Sequence, residues 1–164
     1  MDLMYWCWVM DKQNFDIWID ISNTPQVFFF NSLIKSFEKD YSILVTSRER
    51  GESKQLLELL NIEHMSFGKD YKNFLFKTIS VGIRSTQLLY KIPRFDYCLS
   101  FENIMPVPTN LIRGKSHILF LDNDFKFLSN KSLIQNMENK LRKKAEHLIV
   151  PKVSENNFSQ VFKK

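Results

Sequence analysis

Apolar runs of four to seven residues alternate along the chain with stretches in which apolar side chains recur every three or four positions. The first run, FDIWIDI at 15–21, has the length and the high β propensity of a buried strand. Thr24 then suits a helix cap, Pro25 suits the first helical position, and a helical face continues to Phe37. The pattern therefore predicts a strand followed by a helix.

The same unit repeats to the end of the chain. Further strands are predicted at 41–47, 63–67, 95–101, 117–122 and 147–150, and helical patterns lie at 56–60, at 71–91 and after a capping box at Ser132 and Gln135. Strict alternation of strand and helix predicts a Rossmann-like α/β domain with a parallel sheet of about six strands and helices on both faces. The doubly wound rule predicts a strand order near 3-2-1-4-5-6.

The pattern divides the chain into an N-terminal extension at 1–14, the α/β domain at 15–150 and a linker or tail at 151–164. The extension lacks the basic segment and small-residue cleavage site of a signal peptide. Its aromatic residues suit contact with a membrane interface, and the alternatives are a start at Met10 or a loose segment that folds against the domain. No apolar run reaches the ~20 residues of a membrane-spanning helix. We expect a cytoplasmic protein, with peripheral membrane contact as an option.

Composition excludes several classes of protein. The 164 residues, 44% of them hydrophobic, suit one globular domain, and the 4 glycines form neither of the Gly-rich phosphate-binding motifs. An ATPase or a free-standing dinucleotide-binding domain is therefore not expected. The net charge of +5 is spread along the chain, and its densest cluster, at 140–144, is interpreted as a solvated helix end rather than a nucleic-acid surface.

Cysteine and histidine positions predict no metal centre. Cys7 and Cys98 lie far apart and have no metal-binding spacing, so we expect reduced thiols, with Cys98 in the core. The three histidines, His64, His117 and His147, fall near strand starts and are interpreted as structural. That end of a parallel sheet is the wrong one for a ligand site.

Polar residues gather where the predicted strands end, and ligands of such sheets bind beyond the carboxyl ends of the strands. The candidates for acid–base catalysis are Asp122, Asp124 and Glu102, and those for substrate binding are Asp20, Ser22, Asn23, Gln26, Arg48, Asn103 and Asn123. Simpler roles stay open: Asp124 or Asn123 would start the next segment, and Asp20 would fix the turn that follows it. The loops of Asn23, Glu102 and Asp122 are expected to line one cleft.

Several segments resemble an uncharacterised prokaryotic family of unknown function that is related to GT-B glycosyltransferases and UDP-sugar 2-epimerases. The likeness is carried by WIDISNTPQVFFF at 18–30, by 43–69, by LSFEN at 99–103, by FLDND at 120–124 and by HLIVPK at 147–152, and it extends over residues 15–155. Many relatives carry His where this chain has Gln26, and an amide does not take up a proton at neutral pH.

The resemblance implies two Rossmann-like domains in full-length proteins, of which the C-terminal one holds most contacts to a nucleotide sugar. This chain then corresponds to the acceptor-side half of a GT-B glycosyltransferase, truncated and inactive alone. It would bind no cofactor by itself, and a nucleotide sugar only with a second domain.

The implied partners are a sugar or lipid-linked sugar acceptor and a chain that supplies the C-terminal domain. In this the chain resembles the acceptor-binding subunit of the two-chain transferases of N-glycan synthesis. The alternatives are a fragment similar to UDP-sugar 2-epimerases and a non-catalytic remnant or binding module.

Overall fold

Strands and helices alternate throughout the computed structural model, which describes residues 14–49, 51–69, 74–123 and 133–162. The strands are Asn14–Ile21 (β1), Ile43–Glu49 (β2), Met65–Lys69 (β3), Arg94–Phe101 (β4), Ser116–Phe120 (β5) and His147–Ile149 (β6). The helices are Thr24–Phe37 (α1), Gly51–Leu59 (α2), Phe74–Lys91 (α3), Pro106–Arg113 (α4), Leu133–Arg142 (α5) and Glu155–Phe162 (α6). The predicted extension, including Cys7, lies mostly outside the described residues, as do Asp124 and Ser132.

One six-stranded sheet forms with the order β3-β2-β1-β4-β5-β6, and all five strand pairs are parallel. This confirms the predicted α/β class and strand order. The chain winds outward in both directions from the central pair β1 and β4. The connections after these two strands lead to opposite edges of the sheet, and a switch point of this kind leaves a crevice for a ligand.

The two faces of β1 pack into different apolar clusters. Ile17, Ile19 and Ile21 face one side, where they pack in a cluster with Val27 and Phe30 of α1. Residues at alternate positions, such as Trp18, face the other side, where a second cluster includes Leu88 of α3 and Phe95. Side chains alternate along a strand, so a run of apolar residues serves two buried faces.

Helix α6 lies within the segment 151–164, which the sequence analysis assigned to a linker or tail. Its Phe158 is 3% exposed and packs with Leu119, Leu121 and Ala145 in a third apolar cluster. A short 3₁₀ turn at Lys152–Ser154 leads into the helix. Helix α6 therefore packs against this domain through Phe158, a feature that was not predicted.

The cap of α1 differs from the predicted one by a single residue. Asn23, not Thr24, is the N-cap: its backbone is extended, and Thr24 and Pro25 open the helix. Asn is a preferred N-cap residue, and Pro25 stays within the first helical turn. In the described part of the chain, no helix is both long and apolar enough to cross a membrane.

Candidate functional site

A cleft of about 250 Å³ opens at the carboxyl edge of the sheet, between α3, α5 and the loops after β1 and β4. Its polar lining consists of Ser22, Arg48, Ser80, Arg84, Glu102, Asn103, Glu138 and Arg142. Four of these residues, Ser22, Arg48, Glu102 and Asn103, were predicted as site residues. The rule that ligands bind beyond strand ends thus leads to the same edge as the geometry.

Asp20 lies directly beneath the cleft and is completely buried. Arg84 donates to both of its carboxylate oxygens, at 2.7 and 3.2 Å, and Thr46 and Asn103 donate at 2.6 and 2.7 Å. A buried carboxylate needs this degree of pairing to remain charged. These bonds join β1, β2, α3 and the loop after β4. We call Asp20 with Thr46, Arg84 and Asn103 the Asp20 network.

Gln26 also bonds inward. It is 2% exposed, its Oε1 accepts from the backbone N–H of Ser22 at 2.6 Å, and its Nε2 donates to the carbonyl of Phe101 at 2.5 Å. These bonds tie the loop after β1 to the end of β4. Gln26 was predicted to touch a ligand, whereas its described contacts position the rim of the cleft.

Glu102 projects from the loop after β4 into the cleft lining, and its side chain is 9% exposed. One carboxylate oxygen accepts from the backbone N–H groups of Asp122 and Asn123, at 3.2 and 3.5 Å. The other oxygen lies 3.8 Å from a guanidinium nitrogen of Arg142. The carboxylate is therefore oriented from two sides.

The predicted loops of Asn23, Glu102 and Asp122 meet at one edge. The N–H of Asn23 lies 3.4 Å from Oε1 of Gln26, whose Nε2 donates to the carbonyl of Phe101. The N–H of Asp122 donates to Glu102. The side chain of Asp122 is exposed, that of Asn123 is half-buried, and Asp124 lies outside the described residues. Of these loops, those of Ser22 and Glu102 supply lining residues of the cleft.

Sequence reasoning missed the part of the site that comes from helices. Arg84 and Ser80 lie on α3, and Glu138 and Arg142 lie on α5, four residues apart within each helix. Arg142 is only 3% exposed and donates to Glu138 at 3.3 Å. It belongs to the basic cluster that was interpreted as a solvated helix end. The four-residue spacing of polar residues on both helices was the available signal.

Two buried titratable groups lie near the Asp20 network. Burial lowers the pKa of His117 to about 4, against a smaller raising effect of the Asp20 charge. Burial raises the pKa of the Cys98 thiol, and a hydrogen bond with Asn110 opposes this. Both groups are therefore neutral at physiological pH, as the structural interpretation of His117 and Cys98 requires. Within the described ranges, no cluster of three or more His, Cys, Asp or Glu side chains suits a metal ion.

The sequence over the first half of the fold carries a family signature. Residues 15–95 match the family DUF354, proteins of unknown function. The match confirms the resemblance to an uncharacterised family. DUF354 similarity covers the Asp20 network as far as Arg84 and ends before Glu102.

The chain is also similar to part of an archaeal protein. An uncharacterized protein of Methanocaldococcus jannaschii is 42% identical over 57 residues, which are 34% of this chain and 17% of that protein. This chain therefore aligns with only a small part of the relative's length.

Among solved structures, the chain is similar to UDP-N-acetylglucosamine 2-epimerase. The TM-score is 0.62 with 14% sequence identity, and the match covers 90% of this chain and 45% of that structure. At this identity the likeness establishes a shared Rossmann-like α/β fold. The chain spans less than half of the epimerase structure.

Proposed function

We propose that this domain is the acceptor-side half of a GT-B-type glycosyltransferase and that its cleft binds the hydroxyl groups of a sugar. The observation that carries the proposal is the position of Glu102 at the switch point of the sheet, beside the donor groups of Arg142 and Asn103. A carboxylate among fixed donors can bind a hydroxyl and accept its proton during attack on a donor sugar.

The orientation of Glu102 suits this role. Its Oε1 accepts from two backbone N–H groups, Oε2 lies 3.8 Å from Arg142, and the residue lines the cleft. A proton acceptor must lie within hydrogen-bond reach of the hydroxyl, and a fixed carboxylate meets that requirement without a conformational search. In this proposal Glu102 is the general base, and Ser22, Arg48 and Asn103 bind the acceptor. Asp122 and Asn123 support Glu102 through their backbone groups.

The charges around the cleft favour a neutral ligand. Three guanidinium groups border it, and three carboxylates oppose them: Glu102 and Glu138 in the lining, and Asp20 beneath Arg84. A phosphate-binding site would present an excess of donors or cationic groups. Paired donors and acceptors instead match hydroxyl groups, which both donate and accept. A sugar or lipid-linked sugar acceptor fits this chemistry better than a nucleotide.

The proposal includes a second α/β domain that would supply the nucleotide-sugar site, on this chain's own continuation or on a partner chain. Support comes from the similar structure, of which the match covers 45%. A transfer reaction needs donor and acceptor held together, and this positioning accounts for several kcal/mol of a barrier. A cytoplasmic location with peripheral contact at a membrane would bring the site to a lipid-linked acceptor.

The second candidate is an activity like that of UDP-sugar 2-epimerases. It is favoured by the structural likeness to UDP-N-acetylglucosamine 2-epimerase over 90% of this chain. An epimerase changes the configuration at C2 of a sugar nucleotide without any acceptor. Product analysis of UDP-N-acetylglucosamine incubated with the protein separates the two reactions.

Calorimetry with UDP- and GDP-sugars, run beside an assay for sugar transfer, tests the proposal. We expect the 164-residue chain to bind these donors weakly and to transfer no sugar, because phosphate-binding glycines are lacking in its sequence. Adding a chain that carries the second domain should restore transfer. Tight donor binding or turnover by the 164 residues alone would contradict the half-enzyme proposal. Absence of any sugar binding would instead favour a non-catalytic remnant.

A further inference from the structure

The backbone of Glu102 adopts a left-handed conformation, with φ of 50°. Asn61 is the other described non-glycine residue with a positive φ, and Asn tolerates that region because its side chain bonds locally. Glu has no such preference. Strain of this kind persists only where the surrounding structure holds it, and it gathers at functional sites.

Hydrogen bonds hold the turn around Glu102 from several sides. Its own N–H donates to the carbonyl of Phe120 at 2.8 Å, and Gln26 bonds the preceding carbonyl. The side-chain amide of Asn103 donates to Asp20, and the backbone carbonyl of Asn103 accepts from the hydroxyl of Ser100 at 2.9 Å. The Ser100 hydroxyl is also hydrogen-bonded to a buried histidine, His117.

His117 lies behind Ser100, with its Nε2 at 2.8 Å from the Ser100 hydroxyl oxygen. That hydroxyl has one hydrogen, which it donates to Asn103. Nε2 of His117 must therefore carry the ring proton and donate to Ser100. Nδ1 is then unprotonated, and it is buried with no hydrogen-bond partner within the described residues. The depressed pKa of His117 agrees with this neutral form.

We propose that His117 and Ser100 are positioning residues that hold the turn at Glu102 and Asn103, and with it the Glu102 carboxylate, against the cleft. A leucine of similar size would fill the same space without leaving a buried nitrogen unsatisfied. The imidazole is therefore explained by the hydrogen bond that it donates rather than by packing alone. The proposal concerns the backbone and requires no ligand, so it stands or fails separately from the proposed function.

Amide hydrogen exchange of the full chain provides the test, read at the N–H of Glu102, with Val45 on β2 as a remote reference. In His117→Leu the donor is lost, and we expect exchange at Glu102 and Met105 to accelerate about five- to tenfold more than exchange at Val45. His117→Gln carries an amide donor in place of Nε2 and should restore most of the protection. Neither variant titrates, so pH effects do not separate them.

Ser100→Ala removes the link between His117 and Asn103 with little change in volume, and it should reproduce the effect of His117→Leu. It also keeps the test valid if His117→Leu does not fold. Equal acceleration at Glu102 and Val45 in both variants would overturn the proposal, because it would mark a general loss of stability. Failure of His117→Gln to differ from His117→Leu would overturn it as well.

Substitutions at Glu102 test whether the turn is strained. Glu102→Gly and Glu102→Ala both remove the carboxylate, but only glycine adopts a positive φ without cost. Combined with His117→Leu, glycine should therefore slow local exchange at neighbouring amides by roughly five- to thirtyfold relative to alanine. Equal exchange in the two double variants would contradict a strained turn.

Discussion

Two carboxylate–guanidinium pairs at the edge of the sheet have the same chemistry but different surroundings. Asp20 and Arg84 are 0% and 3% exposed, and their closest atoms lie 2.7 Å apart. Glu102 and Arg142 are 9% and 3% exposed, but their closest atoms lie 3.8 Å apart. Asp20 lies beneath the cleft and Arg84 covers it, whereas both members of the second pair line the cleft.

The difference supports the different roles proposed for the two carboxylates. Asp20 has four short bonds to side chains from three other parts of the fold, so a ligand would have to displace internal partners to reach it. Glu102 has a longer contact with Arg142, and both residues line the cleft in which the proposed sugar would bind. Sequence position alone did not separate them, since both residues lie at the carboxyl ends of central strands.

The largest expected effect follows from breaking the pair of Asp20 and Arg84. Asp20→Asn leaves the buried Arg84 without its counter-charge, and we expect the free energy of unfolding to fall by about 3–5 kcal/mol. Chemical denaturation measures the change. Asp96→Asn is the matched control. It breaks the ion pair with Lys115, in which Asp96 is 46% and Lys115 34% exposed, and should cost less than about 1 kcal/mol. Similar losses in the two variants would contradict a sealed, structural role for Asp20.

The next largest loss of stability is expected from Gly68, which lies against the side chain of Arg84. A Cβ on Gly68 would lie 2.9 Å from Cβ of Arg84, and its φ is +77°. Gly68→Ala is therefore expected to cost about 3 kcal/mol, from steric overlap and backbone strain together. Gly114 also has a positive φ, of +61°, but open space surrounds it, so Gly114→Ala should cost only about 1 kcal/mol. Equal costs would mean that contact with Arg84 is unimportant.

The pH dependence of stability is expected to reveal His117. Its pKa is about 4 in the fold and 6.5 ordinarily, because burial disfavours the charged ring. The unfolded chain thus binds the proton more tightly. The contribution of neutral His117 to the free energy of unfolding is complete above pH 6.5. It is lost as the pH falls toward 4, by up to about 3 kcal/mol. Denaturation of the parent and of His117→Gln across this range checks the effect, and equally steep losses would contradict it.

The smallest effect on stability is expected at Glu102. Glu102→Gln keeps an oxygen that accepts from Asp122 and Asn123 and loses only the charge near Arg142, which Glu138 also contacts. We expect a loss of about 1 kcal/mol. A loss as large as that of Asp20→Asn would make Glu102 a structural clamp like Asp20 and would remove the contrast between the pairs.

Much of the fold could be predicted from the sequence because local patterns determine it. Alternating apolar runs and helical faces led to the parallel sheet and its order, and strand ends led to Ser22, Arg48, Glu102 and Asn103. The lining residues on helices α3 and α5 could not be predicted in this way, because their place in the cleft depends on tertiary contacts. Arg84 is 64 residues from Asp20, and Arg142 lies in a basic cluster typical of exposed helix ends. Helix α6 was missed because its few apolar residues lie in a polar stretch.

We propose that the cleft at Glu102 binds a neutral sugar. Titration of the ¹⁵N-labelled chain with N-acetylglucosamine, followed by amide chemical shifts, tests this most directly. We expect the largest shifts at Ser22, Glu102 and Asn103, an unresponsive reference at Val45, and loss of the response in Glu102→Gln while Asp96→Asn retains it. The same sugar carried on UDP should bind no more tightly. Shifts centred away from the cleft, or an undiminished response in Glu102→Gln, would contradict the account.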